Sequence, residues 1–567
     1  MSTAPGTALD DPDWWRHAVV YQIYPRSFRD ADGDGNGDIR GMRNGLGHLA
    51  RLGVDAVWVS PWYTSPMIDG GYDVADYCDI DPIFGSLDDA TVFLDEAHRL
   101  GLRVLVDLVP NHCSDRHPLF QRALAAAPGS PERDLFVFRD GRGVDGGQPP
   151  TNWGSLFGGS MWQQVTESDG RPGQWYCHMF APEQPDWNWD NPQVVAFFDQ
   201  VLRFWFDRGV DGFRIDVADS MALDQTLPDT KPDPATGFGS WHKDVGAPFW
   251  DQPGVETIHR RWRQIADSYA DTALGARVFV SEAHLDPIER QASYVAAGRL
   301  HTTFNFDHLW CEWTAASQRH MITRTLAAHD AVGAPATWVI GNHDVPRPVT
   351  RYGKPETGWP FDADGRVGQP RFAEDHRQFP TDVDLGRRRA RAAALLMFAL
   401  PGVAYLYQGE ELGLPEVEDL PAEVLQDPIW DRSGHTEKGR DGCRVPLPWS
   451  GTKPPYGFGP GPGEPWLPQP AGWAGLSVAA QTGVTGSHLE LYRAALAIRH
   501  ANPALRDERL AWDEASEQLL SFCRGDRFRC LVNFGPGPAP LPAGTVLLAS
   551  GDVSDTIPGD TAVWLAT

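Results

Sequence analysis

The sequence predicts an α/β protein built on a closed (β/α)8 TIM-type barrel, with a lid subdomain inserted after the third strand and a small antiparallel β domain at the C-terminus. Three observations predict it. Eight short runs rich in β-branched and aromatic residues alternate with longer amphipathic segments. Acidic side chains end four of those runs, where a barrel of parallel strands carries its chemistry. The length of 567 residues exceeds the ~250 that such a barrel needs, leaving room for an insertion and an appended domain.

The eight runs lie at 19–24, 56–60, 104–109, 212–217, 278–282, 303–306, 337–340 and 403–407. Helical periods fall between and after them at 87–100, 194–208, 255–269, 385–400 and 488–500, each with one apolar face to bury against the sheet. The barrel is therefore expected over 15–109 and 186–504. Residues 110–185 are rich in Gly, Pro and aromatics with little helical period, and read as the inserted lid. The stretch 453–470, KPPYGFGPGPGEPWLPQP, is too rich in Pro and Gly for regular elements and reads as a long loop without a legible role. From 505 to 567 short alternating runs read as the C-terminal β domain.

Composition narrows the partners. Asp plus Glu number 76 against 49 Lys plus Arg, and a net charge of −27 opposes electrostatic capture of nucleic acid or an anionic membrane surface. No run reaches the ~18 apolar residues of a membrane span, and the first 16 residues lack the pattern of a signal peptide. The seven cysteines are scattered and never spaced C-x-x-C, so reduced thiols and a cytoplasmic location are expected. The 23 Trp, 26 Phe and 13 Tyr supply flat rings that suit a core and, equally, the face of a sugar.

The strand ends carry DLVPNH (107–112), GFRIDVAD (212–219), VSEAH (280–284) and IGNHD (340–344). Asp216 follows Arg214 by two residues, so strand alternation points both to one face, and a buried acid beside a guanidinium stays ionised. That suits a nucleophile. Glu282 ends a different strand among apolar neighbours and is suited to holding a proton. Two such carboxyls at ~5–5.5 Å make a retaining glycosidase, with Asp344 as a third carboxylate that binds sugar hydroxyls.

The run Asp30-Ala-Asp32-Gly-Asp34-Gly-Asn36-Gly-Asp38 places oxygen donors at alternate residues, the pattern of a hard-cation loop. It is not an EF-hand, because the twelfth residue is Gly41 where a bidentate Glu is required. A structural Ca²⁺, or alternatively Mg²⁺, is expected on Asp30, Asp32, Asp34 and Asp38, with Asn36 giving its backbone carbonyl. Catalysis is expected to need no metal.

DLVPNH, GFRIDVAD, the Glu282 strand and NHD, together with AVWVSP (56–61) and GVAYLYQGEELG (402–413), resemble in order and spacing the α-amylase superfamily of glycoside hydrolases, family 13, in its α-glucosidase and oligo-1,6-glucosidase branch. The resemblance implies Asp216 as nucleophile, Glu282 as general acid/base and Asp344 as transition-state stabiliser. It implies that Arg214, His112 and His343 hydrogen-bond the sugar next to the scissile bond. Tyr72 in GYDVADY (71–77) would stack under that sugar and Asp73 would hold its distal hydroxyls. Arg440 and Arg444 in GRDGCR match an arginine pair, the first bridging to the Asp73 position and closing the pocket beyond one sugar. Phe157 in SLFGGSMW is a candidate wall. QPDWN (184–188) resembles the QPDLN signature of oligo-1,6-glucosidase-like members with Trp187 in place of Leu, and is read as a mark of subgroup. The expected activity is exo-acting, retaining release of glucose from the non-reducing end of short oligosaccharides or small α-glucosides, with possible transglucosylation. The competing readings are a glucosyltransferase or isomerase on sucrose or maltose, an endo-acting amylase, and a catalytically inactive sugar-binding relative.

Overall fold

In the computed structural model residues 11–231, 246–359, 377–461, 463–513 and 516–567 are described. Runs such as VVYQI and RVLVDL bury every side chain, as parallel strands covered on both faces must. They form the barrel strands β1 (Val19–Ile23), β2 (Ala56–Val59), β3 (Arg103–Leu108), β4 (Gly212–Ile215), β5 (Val278–Ser281), β6 (Thr302–Thr303), β7 (Thr337–Val339) and β8 (Val403–Tyr407). The hydrogen-bonded order is β6-β5-β4-β3-β2-β1-β8-β7, with every pairing parallel. Between β6 and β7 the Thr337 hydroxyl donates to the Thr303 carbonyl and bridges the seam.

All eight runs read from the sequence become strands, and the largest difference is at β6. It ends at Thr303 because Asn305 accepts a hydrogen bond from the His308 backbone and starts the short helix Phe306–Trp310. Phe306 is thus a helix residue at the strand's catalytic end.

Eight helices return the chain: α1 (Ile39–Leu52), α2 (Leu87–Arg99), α3 (Pro192–Asp207), α4 (Pro253–Asp267), α5 (Ile288–Ser293), α6 (Ala315–Val332), α7 (Val383–Ala399) and α8 (His488–Ala501). Their starts are legible. Ser86 and Asp89 form a capping box at α2, and Asn191 caps α3 ahead of Pro192. Asp38, the last acid of the Asp-rich loop, caps α1 through the Gly41 backbone.

Between β3 and α3 the lid carries a three-stranded antiparallel sheet of Phe138–Arg139, Trp162–Thr166 and Pro172–Cys177. At the C-terminus β9 (Ala511–Trp512), β10 (Leu519–Arg524), β11 (Phe528–Asn533), β12 (Thr545–Ala549) and β13 (Thr561–Ala566) form a second sheet in the order β9-β10-β11-β13-β12. It sits on α7, where Trp564 donates its indole N–H to the Leu395 carbonyl at 3.1 Å and Arg524 reaches the Ala399 carbonyl at 2.6 Å.

The 453–470 stretch, of which residue 462 lies outside the described residues, lies across the Asp-rich loop. The Asp30 N–H donates to the Phe458 carbonyl at 3.0 Å, and the Trp466 N–H to the Gly35 carbonyl at 2.9 Å. Gly35 has a left-handed φ of 94°, and a Cβ there would stand 2.5 Å from the Glu464 carbonyl oxygen. Only glycine permits this approach. Among the described residues no helix is long and apolar enough to cross a membrane.

Candidate active site

One guanidinium organises the catalytic end of the barrel. Arg214 on β4 donates from Nη1 to Asp107 Oδ1 at 2.7 Å and to Asp216 Oδ1 at 2.8 Å, while its Nη2 stands 2.6 Å from Glu282 Oε2. Glu282 therefore shares a cation with Asp216, and its surroundings are not the apolar ones expected from its strand. The neighbour in space comes from β4, which pairs with β5 in parallel register. Burial would lower the Arg214 pKa, but Asp107, Glu282 and Asp216 outweigh it and keep the guanidinium charged. Burial pushes Asp216 up against Arg214, and the charges of Glu282 and Asp107 push the same way.

Val217, directly after Asp216, donates its backbone N–H to Glu282 Oε2 at 3.1 Å. It does so at a φ of 44°, a left-handed conformation that a β-branched residue rarely adopts. The strain is held beside the Asp216 and Glu282 carboxyls.

Asp344 sits in a second network. Its Oδ1 accepts from Arg440 Nη1 at 3.0 Å and Arg444 Nη2 at 3.1 Å, and its Oδ2 lies 3.3 Å from His343 Nε2. Burial alone would raise the carboxyl, but His343, Arg440 and Arg444 outweigh it and hold it well below the usual carboxylate range. Gln22 donates to His343 Nδ1 at 2.7 Å, which leaves the proton on Nε2, facing Asp344. Burial lowers the pKa of His343 to about 3, so the ring is neutral.

The structure corrects the reading of GYDVADY. Arg440 Nη2 donates to Asp69 Oδ1 at 2.7 Å, while Asp73 is fully buried and accepts from the backbone N–H groups of Ile68 and Asp69. Asp73 braces the turn, and the pocket acid is Asp69. Gly70 and Gly71, both at positive φ, turn the chain between them. Burial pushes Asp73 up to about 7, against those backbone N–H groups. Gln184 was also missed as a functional residue. The first residue of QPDWN, it donates to Asp69 Oδ2 at 3.1 Å and lies 3.1 Å from His112 Nε2, so this motif braces the pocket. A charge-bearing residue beside the Gly-Gly turn was the available signal for Asp69; Gln184 offered none.

These groups face one cavity, lined by Tyr72, His112, Phe157, Asp216, Glu282, His343, Asp344 and Arg440 with Asp69. The expected site residues other than Asp73 thus converge, with Arg214 beneath them. Tyr72 stacks on His343 at 5.3 Å and 7° and donates its hydroxyl to Asp107 at 3.1 Å. Phe157 forms a wall with the Arg440 guanidinium 5.5 Å from its ring centre. The lining continues through Val217, His284, Phe306, Trp310 and Val345.

In the Asp-rich loop the carboxylates of Asp30, Asp32 and Asp38 converge within 4.8 Å of one another. Asp34 stands outside this group, with its Oδ1 accepting from the Asn36 N–H at 2.7 Å, and the Asn36 side chain accepts from Arg26 at 2.8 Å.

The model of the α-amylase catalytic domain matches residues 22–359 and 369–508. The chain belongs to the α-amylase family. A domain of unknown function, DUF3459, matches 503–564, over the C-terminal sheet. Among curated relatives, a probable α-glucosidase of Rhizobium meliloti is 38% identical over 539 residues, 92% of this chain and 90% of that protein. An oligo-1,6-glucosidase of Parageobacillus thermoglucosidasius is 32% identical over 522 residues, covering 86% and 83%. Among solved structures, the α-glucosyl transfer enzyme XgtA superposes with a TM-score of 0.80 at 36% identity, covering 98% of this chain and 99% of that one. A mutant of the trehalulose synthase MutB gives 0.81 at 27% identity over 98% and 100%.

Proposed function

We propose that this family member is an exo-acting, retaining α-glucosidase that releases glucose from the non-reducing end of short oligosaccharides or small α-glucosides. The observation that carries the reading is the shared guanidinium, which holds Asp216 and Glu282 on its two Nη nitrogens at 2.8 and 2.6 Å. Carboxyls sharing one such fork suit the ~5–5.5 Å separation of a retaining enzyme rather than the ~6.5–9.5 Å of an inverting one. Asp216 attacks the anomeric carbon as Glu282, acting as general acid, gives a proton to the departing oxygen, and a covalent glucosyl-enzyme forms. Water then attacks the same carbon, Glu282 takes its proton, and Asp216 leaves with net retention. Asp344, held anionic by its arginines, faces the positive charge of the transition state. His112 and His343 hydrogen-bond the glucosyl unit, Arg214 holds the carboxyls beneath it, Tyr72 stacks under it, and Phe157 walls it.

The exo mode is supported by the buried Asp69–Arg440 pair, which occupies the space a further sugar would need on that side. Relatives named α-glucosidase and oligo-1,6-glucosidase support the substrate class. Transfer to a sugar hydroxyl in place of water is favoured by the likeness to an α-glucosyl transfer enzyme. The seven cysteines, all free of disulfides, support a reducing compartment such as the cytoplasm.

For the Asp-rich loop we propose a structural Ca²⁺ or Mg²⁺ held by Asp30, Asp32 and Asp38, with the Asn36 carbonyl as a further donor; Asp34, expected among the ligands, stands outside the converging carboxylates. An all-oxygen donor set fits a hard cation. Burial raises the Asp30 pKa and the charges of Asp32 and Asp38 add to it, a repulsion that a cation removes.

Time-resolved NMR of the products from maltose, isomaltose, sucrose and maltodextrins tests the activity. Glucose appearing first as the α-anomer, and absent with Asp216→Asn, is the expected result. β-Glucose would overturn the mechanism, isomerised disaccharide without net glucose would assign a transferase, and no turnover with retained sugar binding would assign an inactive relative.

A further inference from the structure

The 453–470 segment has no part in the chemistry above, yet its Trp466 lies at one end of a series of rings that reaches the sugar site. The Trp466 indole donates to Ser27 Oγ at 2.9 Å, its backbone N–H to the Gly35 carbonyl at 2.9 Å, and the Arg26 guanidinium lies 4.0 Å from the ring centre. Trp466 is thereby fixed to the Asp-rich loop. It stacks on Tyr24 at 6.4 Å and 28°, Tyr24 stacks on His343 at 5.9 Å and 30°, and His343 stacks on Tyr72 at 5.3 Å and 7°. Tyr24 also lies 5.5 Å from the Arg444 guanidinium, and its hydroxyl packs against Gly70, next to Asp69.

His343 needs such support. Its contact with Asp344 is 3.3 Å long and the ring is neutral, so that bond alone orients it weakly. Gln22 fixes one nitrogen, but a bond to a ring edge leaves rotation about its own axis, which flat faces packed on the ring restrict.

We propose that the 453–470 segment is a clasp in which Trp466 fixes, through Tyr24, the planes of His343 and Tyr72 in the glucosyl pocket. Trp466 and Tyr24 are then positioning residues: neither lines the cavity, and both act through His343. The kinetic side of this inference rests on the α-glucosidase reading, whereas its binding side does not.

The test is Trp466→Leu, which keeps an apolar side chain and removes the flat face, beside Trp466→Phe, which restores a ring. Tyr24→Leu interrupts the same series without touching the segment and serves if Trp466→Leu does not fold. Affinity for 1-deoxynojirimycin, a glucose-shaped iminosugar, is measured by calorimetry, and kcat and KM on maltose alongside it. Trp466→Leu is expected to weaken iminosugar binding and raise KM by about tenfold, the upper effect of losing one ring contact, with kcat changed less than about threefold and the Phe variant recovering most of the loss. The double variant should be no worse than the more severe single one, because both cut one series. Folded Trp466→Leu and Tyr24→Leu proteins that bind the iminosugar within about twofold of wild type would overturn the clasp, as would a fall in kcat at unchanged KM. Wild-type protein that turns over no glucoside, while Trp466→Leu still loses iminosugar affinity, would remove the proposed function and leave the clasp standing.

Discussion

The pocket lining joins a charged and polar set, Asp69, His112, His343, Asp344 and Arg440, to an apolar set, Val217, Phe306, Trp310 and Val345. The first set is locked by charge: Arg440 alone pairs with Asp69, Asp344 and Asp427 at 2.7, 3.0 and 2.6 Å. The second set offers apolar surface, and His284 packs its ring 5.2 Å from that of Phe306. A site whose buried polar groups need partners rejects a ligand that lacks them by orders of magnitude, while an apolar wall discriminates by about tenfold per group. The charged set, which we propose holds the glucosyl unit, is therefore expected to select strictly, and the apolar set, facing the leaving partner, loosely.

Changes at the reacting centre break both sides at once. Asp216→Asn is expected to lower kcat/KM by about 10⁴-fold or more on every α-glucoside, since removal of the proposed nucleophile leaves only binding and electrostatics. Uniform loss across aglycones, read from initial rates, is the check; residual turnover that depends on the aglycone would show another group attacking.

A change at the charged side comes next. Arg440→Gln leaves Asp69, Asp344 and Asp427 without their shared cation, and removing one partner of a buried pair costs about 3–5 kcal/mol. Part of that cost falls on folding and part on substrate, so we expect a lower denaturation midpoint together with a loss of about 10²–10³ in kcat/KM. The loss should be equal for methyl α-glucoside and maltose, which share the glucosyl unit. A loss confined to maltose would place Arg440 on the wrong side of the scissile bond.

Phe306→Ala probes the apolar side and should act the other way. We expect kcat/KM to fall about threefold to tenfold for hexyl α-glucoside and by less for methyl α-glucoside, following the apolar area each buries. Equal effects on the two substrates would show that this wall serves the glucosyl unit, and the contrast between the sides would disappear.

The same contrast explains what could be read from the sequence. Barrel strands bury both faces, so β-branched runs announce them, and the acids at their ends stand out against apolar neighbours. Asp107, Asp216, Glu282 and Asp344 were legible for that reason. Asp69 was not, because it shares a short turn with Asp73 and only the φ angles of Gly70 and Gly71 decide which acid meets Arg440. Gln184 was hidden because its partners, Asp69 and His112, lie 115 and 72 residues away. The apolar surroundings expected of Glu282 failed similarly: Arg214 arrives from the adjacent strand, which strand-by-strand reading does not bring together. The acidic loop was visible as composition, but its cover by 453–470 depends on close backbone approach at Gly35, which no periodicity encodes.

The smallest expected effect concerns protons. Burial lowers both His112 and His343 to about 3, from an ordinary histidine value of 6.5. Between those values the unfolded chain binds protons that the folded chain does not, so each ring contributes stability that is complete above about pH 6.5 and is lost as pH falls toward 3. The slope is one proton per ring, about 1.4 kcal/mol per pH unit within that window. Urea unfolding at pH 7, 6 and 5 should therefore show a pH dependence shallower by about one proton in His343→Asn than in wild type. The neutral ring also makes iminosugar affinity insensitive to this histidine's titration above pH 5. An unchanged slope in the variant would mean that His343 is already protonated in the fold. The charged side would then carry an extra cation beside Asp344, and its grip on the glucosyl unit would weaken on deprotonation as pH rises.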